Sequence, residues 1–240
     1  MRPVAERQIV AFLAAGEINA SQIADITRIP RSTVREWLEQ PEPKLGRPPE
    51  FDPATLPEAH YSYLLGFYLG DGTISGIGKG VYRLRIFTDA RYQVVIAECV
   101  AAMQSVMPQN RVLVQQLRSR AVEINCYSKL WPLLFPQHGP GRKHERKIEL
   151  APWQDEIVER FPREFLRGLI HSDGCRVLNR VNGTDYPRYF FTQVSTDIKG
   201  IFCDACDLLG IAYSHSNWKT VSIARAESVA LLDSFVGPKA

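Results

Sequence analysis

The 240-residue chain has no apolar run approaching the roughly 18 to 20 residues that a membrane-spanning helix needs. Its start, Met1-Arg2-Pro3-Val4-Ala5-Glu6-Arg7, lacks the apolar stretch of a signal peptide. No membrane partner is expected, and a cytoplasmic protein is. Cysteine is scarce: five residues, an odd number without paired spacing, which argues against a disulfide framework and fits reduced thiols. Cys203 and Cys206 form a CxxC, but no second pair exists and only His215 is loosely near. Zinc needs four ligands, so these two read as buried structural thiols. No segment is low in complexity, and neither sign of charge dominates. A net charge of +3 is compatible with nucleic acid but does not demand it. A hydrophobic content of 45% supports a proper core, and the length suits one large domain plus a small one.

What is present is a repeat. Leu64-Leu65-Gly66-Phe67-Tyr68-Leu69-Gly70-Asp71-Gly72 and Leu166-Arg167-Gly168-Leu169-Ile170-His171-Ser172-Asp173-Gly174 share one pattern. An apolar residue opens each, Gly is third, a small residue is seventh, and Asp-Gly closes. The aspartates lie 102 positions apart. On a helix, Gly66 and Gly70 share one face, as do Gly168 and Ser172. Small residues at that spacing let two backbones approach closely. Gly72 and Gly174 stand where a helix commonly ends in a left-handed residue. The expectation is two paired helices that present Asp71 and Asp173 side by side at one end.

That placement is poor for stability. An Asp at a helix C-terminus faces the negative end of the dipole. Two adjacent carboxylates repel unless a proton or a cation lies between them. Two such misplacements at matched positions suggest function. Paired carboxylates suit Mg²⁺, and a metal-clamped phosphodiester is the natural substrate. The bland alternative is two apolar helices with tight glycine packing and incidental aspartates. His171 is either a group near the site or, more simply, a packed histidine.

Both nonapeptides resemble the LAGLIDADG motif of homing endonucleases, in the single-chain, two-motif form, over roughly 58–240. The resemblance implies that Asp71 and Asp173 are catalytic acids and bind Mg²⁺, with Mn²⁺ possible, beside Gly70 and Ser172. Position six departs from the motif's usual Asp, being Leu69 and His171.

The chain divides by pattern into 1–40, 41–57, 58–150 and 151–240. In 1–40, Ile9, Val10, Phe12 and Leu13 make one short amphipathic helix, ended by Gly16. Asn19 or Ser21 caps a second, which turns Ile23, Ala24 and Ile26 inward. Ile29-Pro30 makes a turn, and a third helix from about Arg31 carries Val34, Trp37 and Leu38. The spacing resembles a helix-turn-helix, departing at Arg28, where Gly is common. In that reading Arg31, Ser32, Thr33 and Arg35 meet major-groove bases or phosphates. The alternative is a protein-interaction module. The charge of 1–52, seven basic residues against eight acidic, favours neither. The stretch 41–57 is a Pro-rich, extended linker. Within it Gly46-Arg47-Pro48 partly resembles an AT-hook core, with Arg47 as a minor-groove residue, although a plain spacer explains it as well.

Each later segment reads as helix, two strands, helix, two strands, helix. In the first, strands fall at 73–77, 81–88, 111–117 and 120–127, with helices at 90–107 and 129–135. Asp89 is a candidate cap for a helix that bears Val94, Val95, Cys99, Val100 and Met103. In the second, the motif helix is 163–173, strands fall at 175–181, 186–195, 211–216 and 219–224, and helices at 196–209 and 225–235. Asn182-Gly183 is a strong hairpin turn. The fold class is α+β: two pseudo-symmetric αββαββα repeats preceded by a small all-α helix-turn-helix domain.

Two-stranded ribbons can enter the major groove, where Arg pairs with guanine and Asn or Gln with adenine. Alternation makes Arg83, Arg85, Gln115 and Asn125 outward in the first repeat, with Arg176, Arg180, Arg188 and Lys219 as counterparts. The run Gly141-Arg142-Lys143-His144-Glu145-Arg146-Lys147 is either a solvated loop or a phosphate-binding one, Arg142 included. By the family resemblance, Lys143 or Lys147 lies near the scissile phosphate and assists catalysis.

The resulting expectation is a monomeric, nucleoid-associated, site-specific double-strand DNA endonuclease that hydrolyses phosphodiesters with Mg²⁺ across a long, roughly palindromic site. No splicing-type Cys or Ser opens the chain and no His-Asn closes it, so it reads as free-standing rather than as an intein. The rival is a sequence-specific transcription regulator that binds DNA without cutting it. Some bacterial sporulation regulators are similar, although there the helix-turn-helix follows the fold. A third reading is an RNA-splicing helper, since some members of the family act as maturases.

Overall fold

The computed structural model of the chain describes residues 4–40, 49–118 and 120–237. It forms two compact units, Met1–Glu50 and Phe51–Ala240. Among the described residues no helix is long and apolar enough to cross a membrane.

The first unit holds α1 (Val4–Ala15), α2 (Ala20–Thr27) and α3 (Arg31–Glu39). Asn19 caps α2: its side chain accepts from the Ser21 and Gln22 amides, while Gln22 reaches back to the Asn19 amide. Such a capping box contributes about 1 kcal/mol. Arg28 then takes a left-handed φ of 59°, and this is why Gly is common at that place in such turns. Val10, Ile23, Ile29, Val34 and Trp37 form a small core. Ile9, Phe12, Ile26 and Leu38 do not join it and are exposed. Three short helices meet along narrow stripes, so the unit carries more apolar positions than it can bury. Of the residues expected inward on α2, Ile23 is buried but Ile26 faces solvent.

The second unit begins earlier than position 58. Asp52 caps a 3-10 turn, Pro53–Thr55, and the Phe51 ring packs edge-on to Trp153 at 5.5 Å. Residues 51–57 are therefore part of the folded unit, not an extended linker. Residues 41–48, Arg47 among them, lie outside the described residues.

The elements then follow in order: α4 (Glu58–Asp71), β1 (Gly72–Gly78), β2 (Val81–Asp89), α5 (Gln93–Val106), β3 (Val112–Gln116), β4 (Ala121–Ser128) and α6 (Trp131–Leu134). A connecting segment with α7 (Pro152–Arg160) leads to α8 (Pro162–Asp173), β5 (Gly174–Val181), β6 (Thr184–Thr192), α9 (Thr196–Leu208), β7 (Ser214–Asn217), β8 (Thr220–Ile223) and α10 (Ala226–Asp233). The predicted αββαββα order thus occurs twice. Helix α7 was not expected; Pro152 pre-sets its first turn, and Ile157 and Val158 bury its inner face.

Both sheets are antiparallel and share one order, β1-β2-β4-β3 and β5-β6-β8-β7. Each first hairpin closes through two left-handed residues, Lys79-Gly80 and Asn182-Gly183. Asp89 does not cap α5. It closes on the Arg91 amide and guanidinium instead, so α5 starts at Gln93 and Val94 turns outward.

The core is built around α4, whose residues Tyr61 to Leu69 are all buried. A helix apolar on every side belongs in an interior. Leu84, Ile86, Ile124 and Cys126 of the first sheet cover it on one flank. Tyr189, Phe191, Val221 and Ile223 serve the second repeat, where Phe191 stacks on Phe202 of α9 at 4.1 Å.

Candidate functional site

Helices α4 and α8 touch along their small residues. A Cβ added to Gly66 would strike the carbonyl oxygen of Phe165, and one on Gly168 would strike that of Tyr63, each well under 3.0 Å. The backbones therefore meet directly, as the spacing predicts. One turn further on, a Cβ on Gly70 would collide with the Ser172 side chain and lie 2.7 Å from Oδ2 of Asp173. This closeness brings the ends of the two helices, Asp71 and Asp173, to one place.

Gly72 and Gly174 are not left-handed. Their φ angles are −83° and −101°, extended values open to any residue. Glycine is required there for another reason: a Cβ on Gly72 would press on the Tyr68 backbone, and one on Gly174 on that of Ile170. Each chain leaves its helix so sharply that the next strand folds over the preceding turn.

The C-terminal carbonyls of a helix lack intrahelical partners. At the end of α4 the Lys143 ammonium supplies them, donating to the carbonyl oxygens of Tyr68, Leu69 and Gly70 at 2.5, 3.0 and 2.7 Å. It also lies 4.9 Å from the centre of the Tyr68 ring. Burial pulls the Lys143 pKa down to about 8, while the Asp173 and Asp71 carboxylates oppose that shift. The lysine thus feels both aspartates. Arg146 holds the delivering loop by donating to the carbonyls of Gly139, Pro140 and Gly141. Lys147 points elsewhere and pairs with Glu149 at 2.6 Å on the surface. Arg142 is exposed, with Glu145 3.9 Å away. The basic run therefore splits, and only Lys143 of its two candidate lysines reaches the helix ends.

Asp173 accepts a hydrogen bond of 2.7 Å from Nε2 of Gln193, whose Oε1 accepts from the Ser195 amide. Gln193 was missed in the sequence, because nothing in its local pattern marks the residue after β6 as facing α8. His171 is fully buried between the Tyr63 hydroxyl and the Val236 carbonyl, at 3.0 and 2.9 Å. It is a packed histidine.

Among the described residues no group of three or more His, Cys, Asp and Glu is placed to hold a metal ion. Cys203 and Cys206 are buried free thiols in α9. At the helix ends the donor set is two carboxylates and main-chain carbonyls, all hard oxygen. That set fits Mg²⁺, which uses one or two carboxylates and takes its remaining ligands from water and phosphate.

Each sheet has one face on the core and one away from it. On the first, pairing sets Arg85 opposite Thr73 and Asn125, and Arg83 opposite Ser75 and Tyr127. Gln115 of β3 lies opposite Glu123 and is exposed. All four predicted residues of this repeat therefore share the open face, but Asn125 is only 1% exposed. Its amide donates to Oε1 of Glu123 on the same face at 2.9 Å.

The second repeat departs from expectation. Arg188 is on the open face, opposite Val177, and lies over the Phe190 ring at 5.8 Å. Arg176 is opposite Tyr189, a core residue, so it is on the helix side of the sheet. There it pairs with Asp233 of α10 at 2.8 and 2.9 Å, and the Tyr189 hydroxyl joins them. Arg180 has the same parity and stands near Asp185 at 3.6 Å. The expectation grouped Arg176 and Arg180 with Arg188, whereas the pleat separates them. Lys219 precedes β8 and is in the turn, not on the strand. In the first unit, Arg31, Ser32 and Arg35 are exposed at the start of α3, and Thr33 is half-buried.

No family model matches the chain, and no curated protein does. Solved structures do. One is a set of mesophilic variants of the homing endonuclease I-DmoI, at 15% identity and a TM-score of 0.52 over 75% of this chain and 91% of that one. Another is I-DmoI in complex with DNA and Ca, at 15% identity and a TM-score of 0.51, with the same coverage. A third is the N-terminal LAGLIDADG domain of DUF199/WhiA, at 13% identity and a TM-score of 0.50 over 78% of this chain and 86% of that one. At such identities the likeness is one of fold: an α+β architecture with two four-stranded antiparallel sheets, shared with these LAGLIDADG proteins.

Proposed function

We propose that the chain is a site-specific, Mg²⁺-dependent endonuclease that cuts both strands of double-stranded DNA. The observation that supports this most is the convergence of Asp71, Asp173 and Lys143 at the joined ends of α4 and α8. Paired carboxylates at the negative ends of two helices are costly unless a cation compensates them. Asp71 and Asp173 would hold Mg²⁺ together with main-chain oxygen near Gly70 and Ser172. Bound there, the metal supplies a Lewis acid for the phosphodiester and a means to lower the pKa of water.

The chain's own groups perform the rest. The α4–α8 packing sets the separation of the carboxylates before DNA arrives. Gln193 orients Asp173 by donating to one of its oxygens. Lys143 keeps positive charge beside the position of a scissile phosphate, where it stabilises developing negative charge. The open sheet faces, with Arg83, Arg85, Gln115 and Arg188, would read base edges in the major groove. The first unit, through Arg31, Ser32, Thr33 and Arg35, would add contacts beyond them. Acting as one chain with two repeats, the protein would need no second copy.

The test is cleavage of a randomised-site plasmid library in Mg²⁺ and in Ca²⁺, with Asp71→Asn and Asp173→Asn alongside. Mg²⁺-dependent double-strand cuts at one long motif, reduced to nicks or lost in the variants, would support the reading. Enrichment of one motif without cutting in any metal would sink it. That outcome would favour the second reading, a non-cleaving DNA-binding regulator, which the separate three-helix unit supports.

A further inference from the structure

We propose that Glu123 is a positioning residue for base recognition, its buried carboxylate holding Arg83 and Asn125 in one orientation at the centre of the first sheet's open face. The inference rests on the DNA-binding part of the proposed function, not on cleavage. A carboxylate is out of place on a face meant for nucleic acid, since phosphate repels it. Glu123 is nonetheless on that face, with a side chain only 8% exposed. One of its oxygens, Oε1, accepts from both Nη2 of Arg83 and Nδ2 of Asn125, the latter at 2.9 Å. Arg83 is also stacked over the Tyr127 ring at 5.4 Å. The guanidinium is therefore held on two sides, and its remaining donors have a fixed direction.

The fold itself does not require this acid. In the second sheet, Phe191 stands opposite Gly174 as Ile86 stands opposite Gly72. By that register the counterpart of Glu123 is Thr220, which shares a 3.2 Å hydroxyl contact with Thr192. The same topology forms around two threonines. Among the described residues, Oδ1 of Asn125 beside the acid is buried without a hydrogen-bond partner, as are Nε of Arg83 and Arg85 on this face and Nε of Arg188 on that of the second sheet. Buried polar atoms usually have partners, so groups left unmatched on an open face await a ligand that supplies them. Base edges carry both donors and acceptors, and an arginine fixed by a carboxylate offers its free edge to guanine.

The experiment selects binders from a randomised duplex library in Ca²⁺, so that recognition is read without cutting. Wild type is compared with Glu123→Gln, Glu123→Thr, Arg83→Ala and the Arg83→Ala/Glu123→Gln double variant. Glu123→Thr installs the residue that the second sheet tolerates, which guards against loss of folding. Wild type should define one motif. Both Glu123 variants should lose roughly tenfold discrimination at one or two adjacent base pairs, the same ones that Arg83→Ala affects. Affinity for random duplex should stay within about threefold or rise, because a negative charge leaves the face. The double variant should discriminate no worse than Arg83→Ala alone, since the two residues act as one unit. An unchanged base profile in the Glu123 variants would overturn the positioning role while leaving DNA recognition intact. So would a uniform loss of binding at all positions, the mark of a purely structural residue. Failure of wild type to select any motif would overturn both this role and the DNA-binding reading.

Discussion

At the middle of its open face the first sheet sets Arg85 beside Asn125, and at the same register the second sheet sets Phe190 beside Ser222. Arg83 and Arg188 do correspond, yet Arg83 is held by Glu123 whereas Arg188 has Phe190 as its neighbour. On the core side the sheets differ little: Leu84 and Ile86 against Tyr189 and Phe191. At the helix interface the repeats are nearly copies, with Gly66, Gly70 and Asp71 matching Gly168, Ser172 and Asp173. The difference separates two kinds of constraint. Backbone contact between α4 and α8 tolerates almost no change in either copy. The open faces have diverged, so a protein that reads DNA through both would meet two chemically different half-sites.

The largest effects should come from breaking what the repeats share. Gly66→Val and Gly168→Val each drive a side chain into the other helix's backbone. Each should cost about 3 kcal/mol or more in urea unfolding, the upper range for overpacking. Gly70→Ala meets a side chain, Ser172, rather than backbone, and should cost clearly less.

A second contrast concerns Lys143. Its folded pKa of about 8 lies below the ordinary 10.5, so the unfolded chain binds more protons between those values. Stability should therefore rise with pH across that window in wild type relative to Lys143→Met. The difference should reach on the order of 3 kcal/mol by its upper end, read by chemical denaturation at a series of pH values. A flat difference would mean that Lys143 titrates normally. In cleavage assays near pH 7, the same variant should lose roughly a hundredfold in rate.

The arginines of the second sheet offer a sharper comparison. Arg188→Ala should weaken specific DNA binding by roughly tenfold without changing the melting temperature much. Arg176→Ala, on the helix side with Asp233, should leave DNA affinity unchanged and lower stability by about 1 kcal/mol or less. Reversal of that pattern in binding and melting experiments would show that the assignment of faces is wrong.

The smallest effect lies in the hairpin turns. Lys79 and Asn182 hold equivalent left-handed positions, with φ of 53° and 49°. Asn suits that conformation better than Lys. Lys79→Asn should stabilise the second unit by about 0.5 kcal/mol, measurable as a small rise in melting temperature.

Periodicity and punctuation, which are local, carried most of the fold in advance. The repeated nonapeptides, the Asn182-Gly183 turn and the alternation in β2 and β4 were legible because helix and strand periods write themselves into neighbouring residues. The register-dependent parts were not. Arg176 and Arg188 look alike in sequence, and only strand pairing puts them on opposite faces. Helix α7 was too short and too polar to separate from a loop. Ile26 falls on the inward side by its apolar spacing, yet it is exposed, because burial depends on which neighbour covers a residue.

By itself, then, the sequence determined the two repeats, their helix–strand order and the aspartates that close the motif helices, since glycine spacing and chain polarity decide these within a few residues. Only the tertiary structure decided which lysine of 141–147 reaches the end of α4. Both are equally basic, but a single loop path, clasped by Arg146, brings Lys143 to the carbonyls of Tyr68, Leu69 and Gly70. It also decided that Gln193 holds Asp173, a contact between residues 20 apart that exists only once β6 has folded back against α8.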